Sequence, residues 1–260
     1  MKEFGICCLS IVPVRKSPAD QSEMVTQLLF GDMVIISRSY LGWYYIRQEY
    51  DNYEGWIDQK QITLLSERNF KTLVHLPKHV TLDIANILTT NEENYILPIV
   101  IGTTLHGLVK HTFYINDAIY SHEGNLYSSE EGSSREKIVE NALIYQHAPY
   151  LWGGKTPFGI DCSGYTQMVY KISGIRILRD ASQQASQGET INMLNEANPG
   201  DLAFFDNEEK KITHVGIILT NNRIIHASGK VRIDILDHQG IFNKEKNQYS
   251  HNLRIIKNFL

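Results

Sequence analysis

The sequence predicts an α+β protein in which small β-barrels precede a domain of helices packed on an antiparallel sheet. Three observations predict this class. The first 130 residues read as short strands broken by turns, a helical apolar pattern follows from about residue 134, and strand-like segments fill the last 60 residues. Short strands with frequent turn signals are typical of small barrels, and helices followed by strands indicate an α+β domain. We therefore expect domains at residues 1–65, 66–130 and 131–260.

Residues 1–65 alternate apolar strand segments with glycine turns. The segments that carry this pattern are 14–15, 28–32, 33–36, 42–47 and 53–57. Their spacing resembles a bacterial SH3-like domain. Residues 66–130 carry weaker strand signals, and we interpret them as a second, divergent SH3-like domain; those signals lie at 94–100, 105–109 and 116–120. The polar residues 128–134 predict a linker into the next domain.

Composition excludes several classes of function. The net charge of −4, with no clustering of lysine and arginine, gives no electrostatic case for binding nucleic acid. No segment approaches the roughly 20 apolar residues of a membrane span, so we expect a soluble protein. Residues 4–14 are apolar and could be mistaken for a signal peptide. However, Glu3 neutralises the charge of Lys2 and Pro13 interrupts the apolar run, so we favour a first β-strand. Composition makes no prediction of oligomeric state.

A single cysteine stands apart from the other two. Cys7 and Cys8 are adjacent, and an odd count of three does not suit a disulfide framework, which favours a reducing compartment. Cys162 follows a glycine-rich loop and opens a helical pattern that continues to Ile172. A helix N-terminus favours an anion, so we expect the Cys162 thiol to ionise readily and to act as a nucleophile. The alternative is a buried, inert cysteine.

Two of the ten histidines lie on a predicted hairpin. His214 opens an apolar strand, His226 lies on the next one, and Asn221 with Asn222 supplies the turn. A two-residue turn here brings the two imidazoles close across the hairpin. A thiolate nucleophile needs such a base and a partner for it. Two alternatives stay open: both are ordinary strand histidines, or Cys162, His214 and His226 bind zinc.

Five motifs in the last 130 residues together resemble the NlpC family of bacterial cell-wall cysteine peptidases. They are YLWGG at 150–154, GIDCSG at 159–164, NPGDL at 198–202, THVGI at 213–217 and IHAS at 225–228. The resemblance implies a papain-like catalytic domain without a metal or cofactor. It also implies that Cys162 is the nucleophile, His214 the base and His226 the residue that orients His214.

The order of domains resembles a subgroup of this family that carries SH3-like domains before the catalytic domain. That subgroup hydrolyses the γ-D-glutamyl-diamino acid bond of peptidoglycan stem peptides and requires a free N-terminal L-Ala. The resemblance implies an enzyme of muropeptide recycling that acts on the stem with either meso-diaminopimelate or lysine. Without a convincing signal peptide, we expect it in the bacterial cytoplasm. Two alternatives stay open: an exported hydrolase of intact cell wall, in the periplasm or envelope, and a wall-binding protein without activity.

Recognition of a free amine requires a buried carboxylate and hydrogen-bond acceptors that close the far end of the cleft. From the resemblance, six residues are candidates for substrate binding: Glu23, Tyr53, Trp152, Asp161, Ser163 and Asp180. Where some relatives have serine directly after the aspartate, this chain has Ala181, so a substrate hydrogen bond from that position is in doubt.

Overall fold

A computed structural model describes residues 3–91, 96–128 and 132–260, and the chain divides into two compact units, residues 1–131 and 132–260. The start of the second unit falls one residue from the predicted start of the third domain, although residues 129–131 lie outside the described residues. In the described part of the chain, no helix has the length and apolar character needed to cross a membrane.

The described residues of the first unit form strands, one α-helix and a short 3₁₀ helix at Gln59–Gln61. In chain order its elements are β1 (Glu3–Ile6), β2 (Ile11–Arg15), β3 (Met24–Leu29), β4 (Met33–Tyr40), β5 (Trp43–Gln48), β6 (Glu54–Asp58), β7 (Thr63–Leu65), α1 (Glu67–His75), β8 (Lys78–Thr81), β9 (Ala85–Thr90), β10 (Ile96–Val100), β11 (Thr104–His106), β12 (Thr112–Ile115), β13 (Ala118–His122) and β14 (Leu126–Ser128).

Strands β1 to β7 form one antiparallel sheet in the order β3-β2-β6-β5-β4-β1-β7. The predicted first strand over residues 4–14 is two strands, β1 and β2, separated by the turn that holds Cys7 and Cys8. The remaining strands form two smaller sheets, β10-β9-β13-β12 and β11-β8-β14. Residues 94 and 95, which we assigned to a strand, lie outside the described residues.

The helix α1 is absent from our sequence predictions. Ser66 caps it by accepting a hydrogen bond from the backbone N–H of Asn69 at 3.1 Å, and Phe70 and Leu73 form its buried face. These two side chains join a core that also contains Phe30 and Phe113. One core cluster thus takes residues from both predicted SH3-like domains, a second cluster lies within residues 1–65, and the boundary at residue 65 stays a prediction.

The second unit places its helices before most of its strands, as predicted. In chain order its elements are α2 (Arg135–Ile144), β15 (Lys155–Thr156), β16 (Gly159–Ile160), α3 (Cys162–Ile172), α4 (Ala181–Gln184), β17 (Glu189–Ile191), β18 (Leu202–Asp206), β19 (Ile212–Leu219), β20 (Arg223–Ser228), β21 (Lys230–Leu236), β22 (Gly240–Asn243) and β23 (Gln248–Asn258).

An antiparallel sheet in the order β17-β23-β18-β19-β20-β21-β22 dominates this unit. Because β22 also pairs with β23, six of its strands close into a barrel. Helix α3 packs against β19 and β20. Every residue of α3 is buried, which makes it the central helix of the unit. The predicted arrangement of helices on an antiparallel sheet is therefore present, while the papain-like relationship stays a prediction.

The hairpin of β19 and β20 turns at Asn221 and Asn222, as predicted. Both residues have positive φ angles, 59° and 54°, and because Leu219 pairs with Arg223 the loop is three residues long, Thr220 to Asn222, one longer than expected. The turn sets a register in which His226 lies opposite Gly216. His214 is two residues from Gly216, so the two histidines are diagonal neighbours on one face of the hairpin.

Candidate active site

Cys162 is the first residue of α3 and lies beside the strand that carries His214. Its sulfur lies 4.0 Å from the carbonyl oxygen of Thr213, and the backbone N–H groups of Val215 and Ser163 donate hydrogen bonds to it. Thr213 and Val215 flank His214, so the nucleophile that we predicted is in contact with the backbone on both sides of the predicted base.

A cavity of about 270 Å³ opens over this sulfur. Its lining includes Cys162, His214, Tyr150 and His251. Although Cys162 is only 8% exposed, it therefore has a route to a substrate. The inert, enclosed cysteine that we held open as an alternative does not fit this position.

His214 and His226 contact each other directly. Nε2 of His214 lies 2.8 Å from Nδ1 of His226, and both side chains are buried. A side chain at position 216 would crowd His226, because a Cβ atom there would lie 2.8 Å from Cβ of His226. Gly216 therefore leaves room for His226 at its place opposite this residue.

The contact continues to a carboxylate that our sequence analysis missed. Nε2 of His226 lies 3.0 Å from Oδ2 of Asp234 on β21. Arg232 holds the same carboxylate through its Nη2, 3.0 Å from Oδ1. Burial alone would raise the pKa of Asp234, but the hydrogen bonds from His226 and Arg232 outweigh burial and lower that pKa. Asp234 is thus ionised at neutral pH.

His251 on β23 is a second residue that sequence reasoning missed. Its ring stacks on that of His214, with centroids 4.0 Å apart and an interplanar angle of 21°. Burial and the neighbouring His226 lower the pKa of His251 to about 4. A neutral, half-buried ring therefore covers one face of His214 and borders the cavity.

The histidines also bear on the zinc site that we considered. Ring nitrogens of His214, His226 and His251 lie within 4.8 Å of one another. However, the 2.8 Å contact between His214 and His226 occupies one nitrogen of each ring. The stacked rings of His214 and His251 have nearly parallel planes, so their in-plane lone pairs do not converge on one point. The arrangement suits a hydrogen-bonded relay better than a metal centre.

The expectation that Cys162 ionises readily is wrong for the resting structure. Burial, and after it the nearby Asp161 carboxylate, raise the pKa of Cys162 to about 12, and the hydrogen bonds from Val215 and Ser163 do not offset this. Burial, with the nearby His226 and His251, also lowers the pKa of His214 well below its usual value. The resting pair is therefore a thiol beside a neutral imidazole, because the low-dielectric site disfavours both charges.

This state predicts how Cys162 reacts with iodoacetamide. Alkylation should be slow at pH 7 and should rise roughly tenfold per pH unit into the alkaline range, because the thiolate is the reactive form. Peptide mapping by mass spectrometry would follow Cys162, with the completely buried Cys7 as an internal control. A rate that is high and constant below pH 7 would instead show a preformed thiolate–imidazolium pair.

Arg179 holds the loop that precedes the nucleophile. Its side chain is 1% exposed and forms two parallel bonds to Asp161, Nη1 to Oδ1 at 3.0 Å and Nη2 to Oδ2 at 2.6 Å. The same carboxylate accepts the backbone N–H groups of Gly153 at 2.9 Å and Gly164 at 2.6 Å. Asp161 is thus the N-cap of α3 and the anchor of the loop. Its direct contact with substrate stays a prediction.

The other predicted binding residues of this unit lie near that anchor or on the surface. Ser163 is buried, and its Oγ accepts a hydrogen bond from Arg179 Nη1 at 2.9 Å. Asp180 is the N-cap of the short helix α4. Trp152 follows the start of the glycine loop and is 61% exposed, so its ring is accessible to a ligand. None of these positions by itself establishes a substrate contact.

Glu23 and Tyr53 belong to the first unit. Glu23 is exposed, directly precedes β3 and forms an ion pair with Lys16 at 2.9 Å. Tyr53 is half-buried and directly precedes β6, and its backbone N–H donates to Asp51 Oδ1 at 2.9 Å. Their role in substrate binding stays a prediction.

Comparison with known proteins places this geometry in a family. Residues 147–250 match the NlpC/P60 family model. The second unit is an NlpC/P60 domain. Residues 14–62 match the model of the bacterial dipeptidyl-peptidase SH3 domain, so an SH3 domain precedes the NlpC/P60 domain in the chain. The protein is therefore a hydrolase of the cysteine peptidase class.

Similar proteins extend the match beyond the NlpC/P60 domain. The chain is 28% identical over 239 residues to the γ-D-glutamyl-L-lysine dipeptidyl-peptidase of Bacillus subtilis, with 85% of this chain and 78% of that protein covered. It is 29% identical over 247 residues to dipeptidyl-peptidase 6 of Lysinibacillus sphaericus, with 85% and 88% covered. A crystal structure of an NlpC/P60 family protein from Bacillus cereus matches with a TM-score of 0.83 and 20% identity, covering 99% of each chain, and supports the fold.

Proposed function

We propose that this protein hydrolyses the γ-D-glutamyl-diamino acid bond of peptidoglycan stem peptides that carry a free N-terminal L-Ala, releasing L-Ala-γ-D-Glu. The diamino acid is meso-diaminopimelate or lysine. The observation that carries the proposal is the cavity that Cys162 and His214 share, with His226 and Asp234 behind His214. The names of the B. subtilis and L. sphaericus relatives support the choice of bond.

The geometry supports acyl transfer through Cys162. Nε2 of His214 is engaged with His226, which leaves Nδ1 of His214 to accept the thiol proton. As the sulfur–carbon bond forms, the carbonyl electrons move to oxygen. When the tetrahedral intermediate collapses, the carbon–nitrogen bond breaks and His214 returns its proton to the leaving amine. Water, deprotonated by His214, then hydrolyses the thioester.

The developing oxyanion requires hydrogen-bond donors. Backbone N–H groups at the start of α3 supply one candidate donor. Asp161 accepts the N–H of Gly164 and the Cys162 sulfur accepts that of Ser163, so the candidate donor is the N–H of Cys162 itself. For the second donor we assign the hydroxyl of Tyr150, which lines the cavity. Burial, and then the nearby Cys162, raise the pKa of Tyr150 to about 12, so the hydroxyl keeps its proton at neutral pH.

A requirement for a free amine defines the biological role that we propose. Intact cell wall does not present the amine of L-Ala, so an enzyme with this requirement acts on peptides already released from the wall. We therefore propose a role in muropeptide recycling in the bacterial cytoplasm. Within this proposal, Glu23 and Tyr53 are the first residues of the SH3 domain to test for amine recognition.

Three substrates compared side by side test this proposal. Free L-Ala-γ-D-Glu-L-Lys and its meso-diaminopimelate counterpart should be cleaved to L-Ala-γ-D-Glu, detected by mass spectrometry. The same peptide with an N-acetylated alanine should react more slowly by a factor on the order of 10⁴, because a buried site left without its amine partner rejects the analogue strongly.

Intact sacculi serve as the matched control for the alternative of an exported cell-wall hydrolase. Release of peptides from sacculi at a rate comparable with cleavage of the free tripeptide would contradict the recycling role. Equal cleavage of the acetylated and free peptides would contradict the free-amine requirement while leaving peptidase activity in place. If none of the substrates is cleaved, the proposed bond is contradicted.

A further inference from the structure

Asp234 is the one charged side chain in direct contact with the histidine pair among the described residues, and neither the sequence motifs nor the family match assigns it a role. It lies at the end of a chain of contacts from His214 through His226, at 2.8 Å and 3.0 Å. We propose that Asp234 is a positioning residue of the peptidase, which sets the tautomers of both histidines and so leaves Nδ1 of His214 free to accept the Cys162 proton.

The ionised carboxylate of Asp234 determines which nitrogen of His226 carries a hydrogen. It only accepts hydrogen bonds, so the nitrogen that faces Oδ2 of Asp234, Nε2 of His226, carries the hydrogen. A neutral imidazole has one N–H, so Nδ1 of His226 keeps its lone pair. That lone pair faces Nε2 of His214, which must therefore carry the hydrogen of the second ring. Nδ1 of His214 is then the unprotonated nitrogen.

The opposite set of tautomers would disable the base. If His226 carried its hydrogen on Nδ1, it would donate to Nε2 of His214, and the hydrogen of His214 would lie on Nδ1. His214 would then have no lone pair for the Cys162 thiol. Asp234 selects the productive set of tautomers through its contact with His226, and it does so without contacting substrate.

The sequence builds this contact through a second tight hairpin. Gly229, with a φ of 71°, lies at the turn between β20 and β21, so His226 pairs with Arg232. Asp234 is two residues beyond Arg232 and lies on the same face as His226, a diagonal neighbour. Arg232 then holds the carboxylate in place, Nη2 to Oδ1 at 3.0 Å, and contacts Glu245 at 3.2 Å on its other side.

The same carboxylate also stabilises the charged intermediate. When His214 takes up the Cys162 proton, its Nε2–H still points to His226. The dipole of His226, oriented by Asp234, then presents a lone pair to the imidazolium. The two hairpins thus place Asp234 on β21 so that it orients His226 on β20, and His226 in turn orients the base His214 on β19.

The test reads the tautomers directly. Ring ¹⁵N chemical shifts at neutral pH should show His214 and His226 of the wild type both protonated on Nε2, with His214→Gln and His226→Gln used for assignment. In Asp234→Leu, His226 should lose its fixed Nε2–H state. A second measurement on Asp234→Leu, its steady-state kinetics, rests on the proposed peptidase function. The kcat for the free tripeptide should fall at least tenfold, and up to the roughly 10⁴-fold loss that a wrong tautomer causes, with KM little changed.

Two matched variants separate positioning from structure. Asp237→Leu removes a carboxylate of the same region that bonds Tyr249 instead of a histidine, and it should leave the tautomers as they are. Arg232→Gln removes the ion pair but keeps Asp234, and His226 should stay protonated on Nε2. Wild-type histidines protonated on Nδ1, or unchanged tautomers in a folded Asp234→Leu, would overturn the proposal. Because ring ¹⁵N chemical shifts are measured without turnover, these results can be interpreted even if the proposed substrate is not cleaved.

Discussion

Replacing His214 with alanine should lower kcat for the free tripeptide by roughly 10⁴ to 10⁶ and change KM little. The resting Cys162 is a thiol, because burial raises its pKa to about 12, so attack requires a base at the moment the sulfur–carbon bond forms. The Cys162 sulfur contacts the backbone of Thr213 and of Val215, the two neighbours of His214 in the chain. Its loss removes both the base and the acid that protonates the leaving amine.

Steady-state kinetics with release of L-Ala-γ-D-Glu would measure the effect of this change. His238→Ala is the matched control, since His238 is exposed and does not line the cavity at Cys162. The control should keep wild-type kinetics. A His214→Ala variant that keeps more than about a hundredth of the wild-type kcat would contradict the role of His214 as base, given the size expected for that role.

Replacing Arg179 with methionine should lower the free energy of unfolding of the second unit by about 3–5 kcal/mol. Methionine removes the charge but keeps much of the apolar length. Asp161 would be left as a buried carboxylate without its cation, although it would keep the N–H groups of Gly153 and Gly164. The loss of stability arises from this unpaired charge, and it exceeds the stability that the ion pair itself contributes.

Urea denaturation followed by Trp152 fluorescence would isolate this effect. The chain has three tryptophans, and a Trp43→Phe, Trp56→Phe background leaves Trp152 as the one reporter, which belongs to the second unit. Arg223→Met, at an exposed position, is the matched control and should change the free energy by at most about 0.5 kcal/mol. An equal, small effect of both changes would show that Arg179 does not anchor the loop.

The sequence predicted those parts of the site that depend on residues close to one another in the chain. Cys162 at the start of a helix follows from the glycine loop and the helical period. The approach of His214 to His226 follows from the turn at Asn221 and Asn222, with an observed register one residue from the expected one. For the same reason strands fill the last 60 residues as expected, from β18 to β23.

The parts that sequence did not predict depend on distant pairings. Asp161 and Arg179 are 18 residues apart, and no local pattern joins them. His251 reaches His214 only because β23 pairs with β18, which itself pairs with β19. Asp234 could have been found, since a turn at Gly229 makes it a diagonal neighbour of His226. The pKa of Cys162 was misjudged because the helix N-terminus was visible in the sequence and the burial was not.

The central claim is that one sulfur atom carries the acyl group of the substrate. Turnover of L-Ala-γ-D-Glu-L-Lys by Cys162→Ala tests it most directly, with circular dichroism to show that the variant folds. The account predicts a folded protein whose rate of L-Ala-γ-D-Glu release equals that of buffer. Release near the wild-type rate by that folded variant would contradict it.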